Sequence, residues 1–306
     1  MSAAEIITIV IITIVILSGV LGWGYFALSW KNFLTEGVLL KRYRGYYLPT
    51  LGHPNQQFSA AIGELAILLA SFFAFLVLGT ALYSLGGGEL PEGDGPIFPD
   101  LIFIEGLAKF GAVVTAFIFS FFAIHRYETV SRLFQWFKLD SQRVTYYVRR
   151  LLFAWFATCA ILLPVGLLQE FLSRLVPYTH EVLNQLDVFH GPVPLIYIFL
   201  AVVILGPIAE EYLFRRVLIN CMVLGFSGYS ANPKNEPAFI HYFGAVLVSS
   251  FLFSAMHIGQ GLAPIPLFFF AVALGMIYLY EGSLVSCVLI HMFFNGLNLG
   301  LILLSK

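Results

Sequence analysis

The sequence predicts an all-α polytopic membrane bundle of about eight transmembrane helices, and three observations predict it. Hydrophobic residues are 59% of the 306 and charged residues 11%, at a mean hydropathy of +0.89, against roughly 45 to 50% apolar residues in a soluble domain. Apolar runs of about 18 to 25 residues recur along the chain, each long enough to cross the roughly 30 Å hydrocarbon core of a bilayer as a helix. The runs are continuous rather than alternating. Lipid offers the backbone no hydrogen bonds, so a span is a helix or part of a closed barrel, and continuous runs select the helix.

The spans are read at 5–30, 59–85, 101–124, 151–172, 193–224, 238–257, 265–281 and 284–304. The first follows Glu5 without a basic segment and shows no small-residue cleavage site, so it reads as a retained span rather than a signal peptide. Residues 86–100 are rich in Gly, Pro and acid and hold no Lys or Arg, which makes them an exposed connector. Cations gather instead after the first span (Lys31, Lys41, Arg42, Arg44) and after the third (Arg126, Arg132, Lys138, Arg143, Arg149, Arg150). Basic loops stay in the cytoplasm, so both termini are expected outside it, in a bacterial-type plasma membrane. Trp136, Phe137, Tyr146 and Tyr147 lie among the second set of cations, as in helices resting along the interface.

A net charge of −1 gives no basic excess for nucleic acid, so the expected partners are the lipid bilayer and membrane-associated proteins. Cys159, Cys221 and Cys287 sit singly in apolar runs and read as small core residues. His53, His125, His180, His190 and His241 fall in loops or at span ends, where ordinary surface roles are expected. In the first four spans Glu105 and Lys109 form a same-face pair four apart, while Glu64 and Glu170 are expected to reach toward the interface. Residues 1–192 thus read as a four-span scaffold, and 193–306 as the region that carries chemistry, in one integrated bundle.

Ionisable groups inside a span cost a few kcal/mol each and mark function when they cluster. Three clusters occur in the second region. In Glu210-Glu211-Tyr-Leu-Phe-Arg215, Glu211 and Arg215 are four apart and form an ion pair, leaving Glu210, about 100° around the helix, for acid-base work or a ligand. In Phe253-Ser-Ala-Met-His257 the ring lies one turn before the imidazole and can restrict it. In His291-Met-Phe-Phe-Asn295 an imidazole and a carboxamide share a face, and an amide NH2 can donate to a developing oxyanion. Tyr212 and Phe214 read as packing residues. Straight-helix counting sets Glu210 about 22 Å and His257 about 25 Å from their helix ends, but His291 only about 10 Å. Either the boundaries shift or the segments near 259–266 and 282 are re-entrant.

Glu-Glu-x-x-x-Arg, Phe-x-x-x-His and His-x-x-x-Asn, in this order on successive apolar segments, resemble the three signature motifs of the CAAX protease and bacteriocin-processing (CPBP or Abi) family of intramembrane endopeptidases. The resemblance covers about the last third of the chain, from Ile196. It implies an eight-helix fold and a membrane-embedded site that hydrolyses peptide bonds of membrane-associated or lipidated substrates. It also implies that Glu210 and His257 activate water, that His291 and Asn295 stabilise the oxyanion, and that Glu211, Arg215 and Phe253 support them. No cofactor is expected; the alternative is a zinc protease with Glu210, His257 and His291 as ligands, disfavoured because Asn is a poor zinc ligand and no HExxH helix is present. Readings of other classes are a proton-coupled transporter and a non-catalytic scaffold or immunity protein.

Overall fold

In the computed structural model the described residues are 3–34, 54–88, 98–124, 141–177, 191–228, 237–281 and 284–305, and they form eight helices with no strand among them. We label them α1 (Ala3–Leu34), α2 (Pro54–Leu85), α3 (Pro99–Ile124), α4 (Ser141–Ser173), α5 (Pro192–Phe226), α6 (Phe239–Ala255), α7 (Pro264–Glu281) and α8 (Leu284–Ser305). Expected and observed boundaries agree within a few residues except at α4, which begins ten residues early and takes in part of the basic stretch read as interfacial, and at α1 and α2, which are each extended by about a turn. Residues 35–53 and 125–140 of the expected basic loops, the 89–97 part of the connector, and His53, His125, His180 and His190 lie outside the described residues, whereas Lys31 falls in α1 and Arg143, Arg149 and Arg150 in α4.

Among the described residues six helices are long and apolar enough to cross a membrane. This makes the chain a multi-pass integral membrane protein. α6 and α7 are the exceptions to eight full spans: α6 has 17 residues, about 25 Å of helix, somewhat less than the hydrocarbon core. They form a hairpin whose turn, 256–263, is non-helical and contains Gly259 and Gly261 at φ 105° and 63°. Those backbone values suit Gly and strain residues with a Cβ.

Helices in lipid gain little from the hydrophobic effect and associate through close packing, which small residues permit. α1 lies on α4 at Gly22, where a Cβ would meet the Phe156 carbonyl oxygen at 2.6 Å. Trp23 Nε1 donates to the Ala160 carbonyl at 2.9 Å, and Trp155 Nε1 donates to Ser18 Oγ at 3.1 Å. α6 meets α7 at Gly275, which faces Val246. The main buried cluster draws on α4 to α8 and includes Ala154, Phe214, Phe253, Phe270 and Ile290. Gly22→Leu is expected to push α1 off α4 and cost about 1–3 kcal/mol, the usual penalty of overpacking. A lower thermal midpoint in detergent, read by thiol-reactive dye, checks this; an unchanged midpoint overturns it.

Candidate active site

α5 positions the first motif, and its backbone is not a plain α-helix. Phe199–Leu205 and Tyr212–Leu218 are π-helical and bracket the α-turn Gly206–Glu211. Such single π-turns are frequent at functional sites. The first has a consequence readable in atoms. The Gly206 N–H donates to the Ala201 carbonyl, five residues back, and Pro207, the next residue able to serve Val202, has no N–H to give. The Val202 carbonyl is therefore left for another donor, and Asn295 Nδ2 on α8 supplies it at 2.9 Å. At the second π-turn the Phe214 carbonyl accepts the Ile219 N–H, five residues on, and also Ser249 Oγ of α6 at 2.8 Å. Side-chain bonds thus tie α5 to the helices that carry the other two motifs.

Glu211 and Arg215 are paired as the spacing implies, Arg215 Nε donating to Glu211 Oε2 at 2.9 Å with both side chains fully buried. The other carboxylate oxygen, Oε1, takes His291 Nδ1 at 2.9 Å. Facing an acceptor, Nδ1 carries the proton, so Nε2 is the nitrogen presented to a reacting group, the arrangement by which a carboxylate fixes a histidine tautomer. Arg215 Nη1 and Nη2 have no hydrogen-bond partner among the described residues. The guanidinium lies over the Phe253 ring, 5.6 Å from Cζ to centroid, and this contact offsets part of that loss.

Glu210 stands apart from this pair. Its side chain is 19% exposed, and Oε2 lies 3.9 Å from His291 Nε2, too far for a hydrogen bond. His257 sits in the first turn beyond α6, with Nδ1 on the Phe253 carbonyl at 3.0 Å and its ring 5.0 Å from the Phe253 centroid. The same ring meets His291 at 5.8 Å. Phe253 therefore spaces both imidazoles and the guanidinium. Among the described residues no hydrogen bond joins Glu210 to His257. Asn295, one turn after His291, spends one amide hydrogen on Val202 and keeps a second.

The depth conflict dissolves. α8 does begin at Leu284, yet His291 reaches Glu211, because the helices do not start from one plane: Phe270, about 16 Å of helix before Glu281, meets His291, about 10 Å after Leu284, with ring centroids 5.2 Å apart.

Two expectations need correction. Glu64 does not reach the interface: it is 5% exposed and accepts from the Tyr212 hydroxyl and, at 3.2 Å, from Arg216 Nε. Tyr212, read as packing, is therefore also a hydrogen-bond donor. The spacing gave no sign of this network because its partners lie 148 and 152 residues apart. The π-turns were missed too, although Gly206-Pro207 within an apolar run was a visible signal. Other readings agree with the geometry. Lys109 Nζ contacts Glu105 Oε1 at 2.8 Å, Glu170 and Arg174 pair at the exposed end of α4, and His241 Nδ1 caps α6 by accepting from the Ala238 N–H.

Among the described residues no three His, Cys, Asp or Glu side chains come together as a metal-binding group. No step below is routed through a metal.

No curated protein and no solved structure matches the chain. Residues 192–297, about a third of the chain and the part containing all three motifs, match the family model described as type II CAAX prenyl endopeptidase Rce1-like, and this match agrees with the CAAX protease family that the motifs indicate.

Proposed function

We propose that this protein is an intramembrane endopeptidase in which Glu210 activates the attacking water, acting on membrane-associated proteins with a lipidated C-terminal peptide. The family match supports a CAAX-type protease in general. The observation that carries the finer reading is the gap between Glu210 and His291. The 3.9 Å from Oε2 to Nε2 is too long for direct bonding, yet a single water can touch both at about 2.8 Å. Nearby, Glu211 is already committed to Arg215 and His291.

In the proposed reaction Glu210 takes a proton from that water, and the hydroxide oxygen bonds to the scissile carbonyl carbon. His257, its Nδ1 held by the Phe253 carbonyl, turns Nε2 to orient the water. The second amide hydrogen of Asn295 meets the oxyanion, while His291 Nε2, its ring proton held at Nδ1 by Glu211, accepts a hydrogen bond from the attacking water. When the C–N bond breaks, Glu210 passes its proton to the leaving amine, so the residues end as they began. Both termini lie on the non-cytoplasmic side in this reading, because the expected basic loops stay inside.

The test is cleavage of a fluorogenic farnesylated CAAX peptide by the purified protein in nanodiscs. His257→Ala is expected to lower kcat/KM about 10²–10⁴-fold, with activity indifferent to chelators. Full activity in the variant sinks the role of His257, and loss of wild-type cleavage on chelation sinks the metal-free mechanism.

A further inference from the structure

Lys109 and Glu105 are two charges of the scaffold spans that the reaction above leaves unused. α3 and α5 pack side by side, and three contacts give their register. The Phe103 and Tyr197 rings stack with centroids 4.8 Å apart. A Cβ on Gly106 would meet Ala201 at 3.2 Å and Leu205 at 3.3 Å. Val113 and Ala116 share a buried cluster with Ala209 and Tyr212. Residue numbers rise together on both helices, so the two run parallel. Lys109, three residues past Gly106, therefore falls near the level of Gly206.

The carboxylate of Glu210 lies at that level as well. Helical side chains lean toward the N-terminus, and a Cβ on Gly206 would lie 3.7 Å from Glu210 Oε1. Lys109 is within electrostatic reach of both Glu210 and Glu105. Its side chain is 26% exposed and that of Glu105 48%, which sets Lys109 between an outer carboxylate and the inner one. Other charges around this position are engaged elsewhere. Glu211 is held by Arg215 and His291, and Arg216 by Glu64; His291 Nε2 faces Glu210 at 3.9 Å, and His257 makes no hydrogen bond to it.

We infer that Lys109 is the counter-charge to the Glu210 carboxylate inside the membrane, a positioning residue delivered to the site by the scaffold helix α3. An isolated carboxylate is costly in a bilayer, and a nearby cation favours its charged form, the form able to take a proton. The relevance to catalysis rests on the proposed peptidase reading; the pairing itself does not.

The test uses dicyclohexylcarbodiimide, which attacks protonated carboxyl groups in apolar surroundings, on the full-length protein in nanodiscs, with the labelled residue identified by fragment mass spectrometry. At neutral pH, Lys109→Met and Lys109→Gln are expected to label at Glu210 about ten-fold faster than wild type, and Lys109→Arg to restore the slow rate. Glu105→Gln should leave Glu210 labelling no faster than wild type. Equal rates in wild type and in whichever neutral variant retains the wild-type thermal midpoint overturn the pairing. Fast labelling in Glu105→Gln as well overturns it too, since Lys109 would then act through Glu105. On the farnesylated peptide, the neutral variants should lose kcat with KM little changed. If the labelling behaves as expected and the wild type cleaves nothing, the counter-charge stands and the peptidase reading falls.

Discussion

Glu210→Gln is expected to insert, fold and bind, and to cleave nothing measurable. The substitution keeps the volume and the hydrogen-bonding reach of the side chain but removes the basic oxygen, so the water proposed to lie between Glu210 and His291 would lose its proton acceptor. General-base catalysis is typically worth about 10²–10⁴ in rate, and here the same group also returns the proton to the leaving amine, so the larger figure applies. The thermal midpoint should stay near wild type, because Glu210 makes no hydrogen bond that the fold depends on and is partly accessible at 19%. Uncleaved substrate should then stay bound, and mass spectrometry of what co-purifies with the variant identifies its chemistry. A Glu210→Gln protein that still turns over the farnesylated peptide at more than a tenth of the wild-type rate removes the glutamate mechanism.

Glu211→Gln should have the opposite character, a loss of fold rather than of chemistry alone. Arg215 is fully buried with its Nη groups unpartnered, so the Glu211 carboxylate is the anion that compensates it. Removing one member of a buried pair leaves an uncompensated charge and costs about 3–5 kcal/mol, whereas replacing both with apolar groups of similar volume is often neutral. The expected result is a sharp fall in folded yield and thermal midpoint for Glu211→Gln, largely recovered in Glu211→Leu/Arg215→Met. That double variant should remain inactive, since His291 has lost the oxygen that holds its Nδ1 proton. If Glu211→Gln is as stable as wild type, the buried Arg215 charge does not depend on Glu211 for its compensation.

Much of this architecture was legible in the chain. Apolar runs located all eight helices, because a membrane helix needs unbroken hydrophobicity. The i, i+4 spacing paired Glu211 with Arg215, Glu105 with Lys109 and Phe253 with His257, since those contacts are local to one turn. Contacts between helices were not legible. Nothing in the residues around Glu64 signals that Tyr212 and Arg216 close over it, and counting residues from helix ends misplaced His291 because the helices do not start from one level. The start of α4 escaped because 141–150 is polar enough to read as surface, whereas hydrogen bonding carries a helix past the edge of its apolar run. The role of His291 was sharpened by one distance: its contact with Glu211 decides which nitrogen faces the reaction.

Pro207 bears on how the molecule comes into being. A carbonyl without a donor is expensive in hydrocarbon, by several kcal/mol, and the Val202 oxygen waits for Asn295, 93 residues later. A chain still lacking α8 has no Asn295 to satisfy that carbonyl of α5. The same helix brings His291 to Glu211. In such a chain Glu210 also has no imidazole from α8 to face it, so completing the backbone of α5 and, in the proposed reading, completing the site depend on one helix.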